Sequence, residues 1–233
     1  MSTLTRKMIE IPINEIKGID RMFERQAEVD LENMPKKYAS LVQKTREIAF
    51  SNFRIKGVFA SNMLVECRQN ENEVLLENEI KIYSKMMPIL FEKSTEVVFY
   101  AITVLGYLEE EKKEKNFMEQ FFLDAWATSF AETASSWLRK HISDMVAEDG
   151  WYSTSAWSPG QHGFSLENQK SLFQVLKPEE IGLTLSDTLM MHPHKSVSGV
   201  FGIGREKDER KIIPCDYCDL RESCPSAYQA DDE

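Results

Sequence analysis

Residues 96–106 read EVVFYAITVLG, and no other stretch of this 233-residue chain constrains its fold so tightly. β-Branched and aromatic side chains crowd the run, a composition that suits a pleated strand and disfavours a helix. The uncharged apolar stretch from Val97 to Leu108 is too short to cross a bilayer, which needs about 20 residues. A buried central strand is therefore expected, and the rest of the chain must cover it. The following segment supplies that cover. From Phe117 to Val146, Phe121, Phe122, Ala125, Trp126, Ser129, Phe130, Thr133 and Trp137 recur at helical spacing, which predicts a long helix with its apolar stripe in the core. Gly150 stands where such a helix would end.

Around this pair the sequence alternates irregularly. KMIEIPI within residues 7–17 reads as a first strand, and residues 20–54 as helix divided in two by Pro35. From Arg54 to Leu76, IKGVFAS, NMLVECR and NEVLLEN look like short strands joined by turns, and Ile80 to Phe91 like a short helix stopped near Pro88. The charged run 109–116 reads as a solvated helix start. Further on, Trp157 and Phe164 bracket a Ser-Pro-Gly bend with Gln161 and His162 at its tip, and Ser165 can cap the helix LENQKSLFQVL. TLSDTLMMHPHKSVSGVFGIG then gives a strand, a His192-Pro193-His194 turn and a second strand in which Ser196, Ser198, Gly199 and Gly202 would let a backbone or a flat ligand approach. Helices, strands, one long helix and more strands, without βαβ alternation, predict an α+β fold with a twisted, largely antiparallel sheet and flanking helices. We place one domain over residues 1–204 and a cysteine-rich C-terminal tail over 205–233.

A formal net charge of −10 leaves no basic stripe to neutralise phosphates, which argues against a nucleic-acid partner. The N-terminal MSTLTRKMIEIPINEIK lacks the apolar run of a signal peptide, so a cytoplasmic location and no membrane association are expected. Cys215, Cys218 and Cys224 crowd into ten residues, CDYCDLRESC, a density that favours metal binding over a disulfide framework in a chain without an export signal. A zinc or iron–sulfur site normally takes four ligands. Cys67, a histidine or an exogenous ligand could be the fourth. Of the histidines, His192 and His194 are expected in a solvated turn and His141 on a helix surface, while His162 could approach a ligand.

Three segments together resemble the reactivation domain of cobalamin-dependent methionine synthase and its stand-alone relatives. FYAITVLGYLEEEKKEKNFMEQFFLDAWATSFAE is similar to that family's strand, acidic turn and long helix, with Asp124 and Glu132 in the helix. SPG followed by a helix is the second segment, and LTLSDTLMMHPHKSVSGVFGIG the third; the likeness spans roughly residues 95–204. It implies an activation-domain-like fold that binds S-adenosylmethionine in a shallow groove and presents it to a corrinoid held by a partner, a corrinoid-binding protein or methyltransferase. The chain would then serve a cobalamin-dependent methyltransferase activity by restoring methylcobalamin, with no catalytic residue of its own assigned. By this resemblance Glu132 faces the sulfonium or amino group, the backbone of Ser158, Pro159 and Gly160 with Gln161 and His162 cradles the nucleotide, and Ser196, Ser198 and Gly199 line the groove. The family usually places an arginine three residues before the bend proline and a tyrosine after its glycine. Here Ala156 and Gln161 occupy those positions, and Arg139, Lys140 and Lys195 are the cations at hand to replace the arginine. Two other readings compete: a non-catalytic module that docks to a corrinoid protein without the nucleotide, and an electron-transfer protein acting through an iron–sulfur cluster on the tail.

Overall fold

The computed structural model describes residues 4–114, 116–161, 163–210, 212, 213, 216 and 222. In chain order the elements are β1 (Lys7–Glu10), α1 (Ile19–Ala27), α2 (Lys36–Asn52), β2 (Arg54–Arg68), β3 (Glu73–Leu76), β4 (Lys81–Tyr83), α3 (Met87–Leu90) and β5 (Glu96–Leu105). After these come α4 (Tyr107–Lys113), α5 (Phe117–Glu148), β6 (Tyr152–Ser153), α6 (Gln169–Leu176), β7 (Thr184–Leu185), β8 (Met191–His192) and β9 (Ser196–Gly204). The main sheet runs β4-β3-β2-β5-β9-β6, with β1 also on β2, and every pairing in it is antiparallel. This is the expected α+β class.

β5 holds the centre, paired along its length with β2 on one side and β9 on the other. Its unbroken apolar run follows from burial on both faces. Val98, Tyr100, Ile102 and Val104 enter a core under α1, α2 and α5, whereas Val97, Phe99 and Ala101 enter a second core with α3 and α6. In the first core Phe23 stacks on Trp126 at 3.8 Å, and Phe53 and Phe130 meet edge to face at 5.8 Å. Such ring pairs add about 0.5–1.5 kcal/mol each beyond the area they bury. Gly57 of β2 lets α5 sit close, since a Cβ there would lie 3.1 Å from Leu138.

Two expectations need correction. IKGVFAS and NMLVECR are one continuous strand, β2, because Asn62 pairs with Val97 inside the ladder and does not turn. β2 is long because its second edge is shared, by β1 over its first half and by β3 beyond a bulge between Leu64 and Glu66. The segment 80–91 is a strand, β4, followed by the single-turn α3, which Pro88 opens and does not stop. Proline suits a first helical turn, where its missing N–H is not needed.

Candidate functional site

Helix α5 carries Asp124, Thr128 and Glu132 at i, i+4 spacing, with Arg139 two turns beyond Glu132. Lys195, just before β9, closes the first turn of this row: its Nζ lies 2.7 Å from Asp124 Oδ1 and donates to Thr128 Oγ1 at 2.8 Å. One turn on, Glu132 is treated differently. It is open to solvent, and among the described residues it makes no hydrogen bond or ion pair. Desolvation by the surrounding protein nevertheless pushes its carboxyl above the usual carboxylate range, against a smaller downward pull from Arg139. Arg139 donates from Nη2 to Ser136 Oγ at 3.1 Å, and its buried Nε has no partner among the described residues.

Residues 152–157 run along the free edge of β9. Tyr152 and Ser153 pair with Gly204 and Ile203, and Trp157 and Val200 exchange both backbone bonds at 2.9 Å. Thr154 strengthens the seam by accepting from Gly202 N at 2.9 Å through its hydroxyl. Side chains alternate along such an edge. Trp157 therefore enters the core with Val200 and Phe164, while Ala156 turns to the core beneath α5. The position at which the resembled family carries arginine thus faces the helix that bears Glu132.

The bend itself is closed on its own backbone. Gln161 N donates to Ser158 O at 3.2 Å, Gly160 N to Phe164 O at 2.7 Å, and Phe164 N to Gln161 O at 2.8 Å. Gly160 supplies the left-handed backbone, φ +87°, that the bend requires. The amides of Gly160, Gln161 and Phe164 are satisfied internally, and buried Pro159, Trp157 and Phe164 fasten the bend from below. Behind it, buried Asn168 accepts from Tyr83 N at 2.7 Å and donates to Tyr83 O and Ser165 O, each at 2.9 Å.

On β9 the small residues divide between two faces. Ser196 donates to Pro193 O at 2.7 Å and lies 2.9 Å from the Thr103 hydroxyl; Ser198 donates to Gln169 Oε1 at 3.1 Å. Both lie on the α6 side. Gly199 lies opposite Tyr100 on the α5 side, where a Cβ would stand 2.7 Å from Tyr100 Cζ. Gly202 makes room for Ser94 and Phe91. The fold therefore turns Ala156 and Gly199 toward α5, the helix that carries Glu132, and leaves Ser196 and Ser198 on the other face. The Asp124–Lys195 pair has no signature in the sequence, for the two residues are far apart in the chain and no local spacing links them.

Cys67 lies half-buried in β2, its thiol pushed up to about 11 by burial, with Glu92 and Glu66 adding to the shift. Glu92 also receives Arg210 at 2.9 Å, and Ile212 packs against the same core as Cys67, so the chain beyond β9 returns beside this cysteine. Cys215, Cys218, Cys224 and His162 lie outside the described residues. Among the described residues no cluster of histidine, cysteine or acidic side chains is arranged to hold a metal. None of their helices is long and apolar enough to cross a membrane. His192 and His194 form the exposed turn that the sequence predicts, with ring centroids 4.4 Å apart.

No family model and no curated protein matches the chain. Among solved structures it is similar to a crystal structure of the MetH reactivation domain bound to AdoHcy, with a TM-score of 0.65 and 14% identity over 90% of this chain and 82% of that one. The likeness is one of fold: a curled antiparallel sheet with flanking helices, as the three sequence segments imply.

Proposed function

We propose that this protein is an accessory factor of a corrinoid-dependent methyltransferase system, which holds S-adenosylmethionine beside Glu132 and docks to a corrinoid-binding protein or methyltransferase. Glu132 carries the reading. A carboxylate that the protein desolvates without pairing is unfavourable alone and becomes favourable when a cationic group sits against it. The sulfonium and ammonium of S-adenosylmethionine are such groups, and the structurally similar domain was crystallised with AdoHcy. When bound, the nucleotide would supply a methyl group to the partner's corrinoid; this chain would position it and exclude water. The residues fit the cationic end of the ligand. They fit the carboxylate end less well, because Ala156 offers no donor and the amides of Gly160 and Gln161 are engaged inside the loop.

That mismatch favours a second reading, a module of the same fold that docks to the corrinoid protein without the nucleotide. Calorimetric titration with S-adenosylmethionine separates the two. Under the first reading heat is released and Glu132→Gln weakens binding about tenfold or more, as loss of a charged contact of about 1.5–3 kcal/mol requires. Absence of heat up to millimolar nucleotide, with a corrinoid protein still retained on the immobilised chain, leaves only the second. For the tail we propose zinc or an iron–sulfur cluster on Cys215, Cys218 and Cys224 with Cys67 as fourth ligand, a reading supported by the return of the chain beside Cys67 at Arg210. Iron, zinc and sulfide content after anaerobic purification decides it, and zinc without sulfide ends the electron-transfer alternative.

A further inference from the structure

Two ties set α5 alongside the strand edge formed by β9 and β6. At one end Lys195, just before β9, holds Asp124 and Thr128. At the other the Ser143 and Ser153 hydroxyls meet at 3.0 Å. Asp124, Thr128, Glu132, Ser136, Arg139 and Ser143 follow one another at steps of three or four residues, so the row between the ties lies on the same face of the helix. Within it Glu132 and Ser136 are exposed and Arg139 is half-buried.

Ala156 falls on the middle of this row. The edge runs antiparallel to β9, so the chain moves from Ser153 toward the Lys195 end, and Ala156 lies about 10 Å along it at a strand's rise. At about 1.5 Å per helical residue, that distance leads from Ser143 back to the turn of Ser136. Arg139 reaches the same turn. Its Nη2 donates to Ser136 Oγ at 3.1 Å, so the side chain runs back along α5 toward Glu132, the direction that long helical side chains favour. The Arg139 charge is felt at Glu132, yet no ion pair joins the two, and the buried Arg139 Nε has no partner among the described residues. Opposite charges that are near but not closed on each other can be bridged by a zwitterion.

We infer that Arg139 anchors the carboxylate of an α-amino-acid ligand whose ammonium group sits against Glu132. The inference rests on the adenosyl-binding reading above and adds its specificity: the amino-acid end of S-adenosylmethionine is held from the helix, where Ala156 offers no donor from the strand. A guanidinium suits the task, because its planar fork matches a carboxylate. A buried N–H without an acceptor is unfavourable, and the ligand carboxylate supplies the acceptor.

Calorimetric titration of the full chain with S-adenosylmethionine and with its decarboxylated form, which keeps the adenosine, sulfonium and ammonium, isolates the carboxylate. The decarboxylated ligand is expected to bind at least about tenfold more weakly. Arg139→Gln is expected to weaken S-adenosylmethionine by a similar factor, to leave the decarboxylated ligand as it was, and to keep the circular dichroism spectrum unchanged. A decarboxylated ligand that binds the unaltered chain as tightly as S-adenosylmethionine, or more tightly, overturns the inference and leaves the adenosyl-binding reading standing. An Arg139→Gln variant that weakens both ligands alike, or neither, does the same. If neither ligand binds up to millimolar concentration, the adenosyl-binding reading itself fails and the anchor falls with it. If Arg139→Gln does not fold, Arg139→Lys, which keeps the charge without the fork, takes its place with the same expected pattern.

Discussion

Gly202→Ala tests whether the small residues of β9 exist for packing or for a ligand. Gly202 has no positive φ, so alanine brings no backbone strain, and the effect of the substitution is purely one of space. The added methyl would fall on Ser94 Oγ and within 2.9 Å of both Ser94 Cβ and Phe91 Cδ1. Phe91 is fully buried and Ser94 nearly so, and the turn they form is tied to the sheet by Thr95 N, which donates to Ile203 O at 2.8 Å. The turn therefore has little freedom to withdraw. Overpacking of a rigid site of this sort costs about 1–3 kcal/mol. For a chain of this size each kcal/mol lowers the melting temperature by about 2–4 °C. Urea denaturation of Gly202→Ala, Ser94→Gly and the double variant measures the coupling between the two positions. Ser94→Gly removes the two Ser94 atoms in the way and leaves only Phe91, so the double variant should recover at least about 0.5 kcal/mol relative to additivity. A neutral Gly202→Ala, or strict additivity, would falsify the packing account.

Other consequences can be measured in the same way. Asn168→Ala leaves Tyr83 N and O without partners at a part-buried position and should destabilise the chain by about 2–4 kcal/mol, with the 157–164 loop gaining protease sensitivity. Glu73 and Glu132 should respond to pH in opposite directions. The hydrogen bond from Lys81, and charge from Lys81 and Arg68, hold the Glu73 carboxyl below its usual range. Its stabilising contribution is therefore present above the unfolded value, about 4.3, and is lost as pH falls through the folded one. Glu73→Gln should lower the melting temperature at pH 7, with the deficit shrinking in acid. Desolvation by the protein around it pushes Glu132 up, so its contribution is complete below the unfolded value and lost as pH rises through the folded one. Glu132→Gln should raise the melting temperature at pH 7, with the gain vanishing below about pH 4.

How legible all this is in the sequence depends on the range over which each signal acts. β5 and α5 were readable because burial on both faces and a helical stripe each write a dense local pattern. β2 reads as separate pieces because Asn62 and Gly57 look like turn residues, although pairing with β5 overrides their propensity. β4 was read as helix because a short apolar run carries no reliable period. Ala156 stands out only through the resemblance, and the register of Trp157 on Val200 turns it to the core beneath α5, the helix that carries Glu132.

That Glu132 has no hydrogen-bond or ion-pair partner among the described residues and that alanine stands at 156 have one explanation in common, and Ala156→Arg tests it. An arginine at this position would project toward the α5 face, since Ala156 packs there with Val197 at the edge of the first core. It would supply the cation that Glu132 lacks and a planar fork for a carboxylate. If the site retains its adenosyl chemistry, the variant should bind S-adenosylmethionine more tightly by about 1.5–3 kcal/mol, roughly one to two decades. It should also draw the Glu132 carboxyl back toward its usual range, so that Glu132→Gln no longer raises the melting temperature at pH 7. The two readouts are independent of each other. Tighter binding with an unaltered Glu132 would mean that the arginine serves the ligand alone. A relaxed Glu132 without binding would mean that the pair is complete but the groove does not admit the nucleotide, because Tyr100 fills the space over Gly199 and the loop amides remain engaged. If neither changes, position 156 does not act on Glu132.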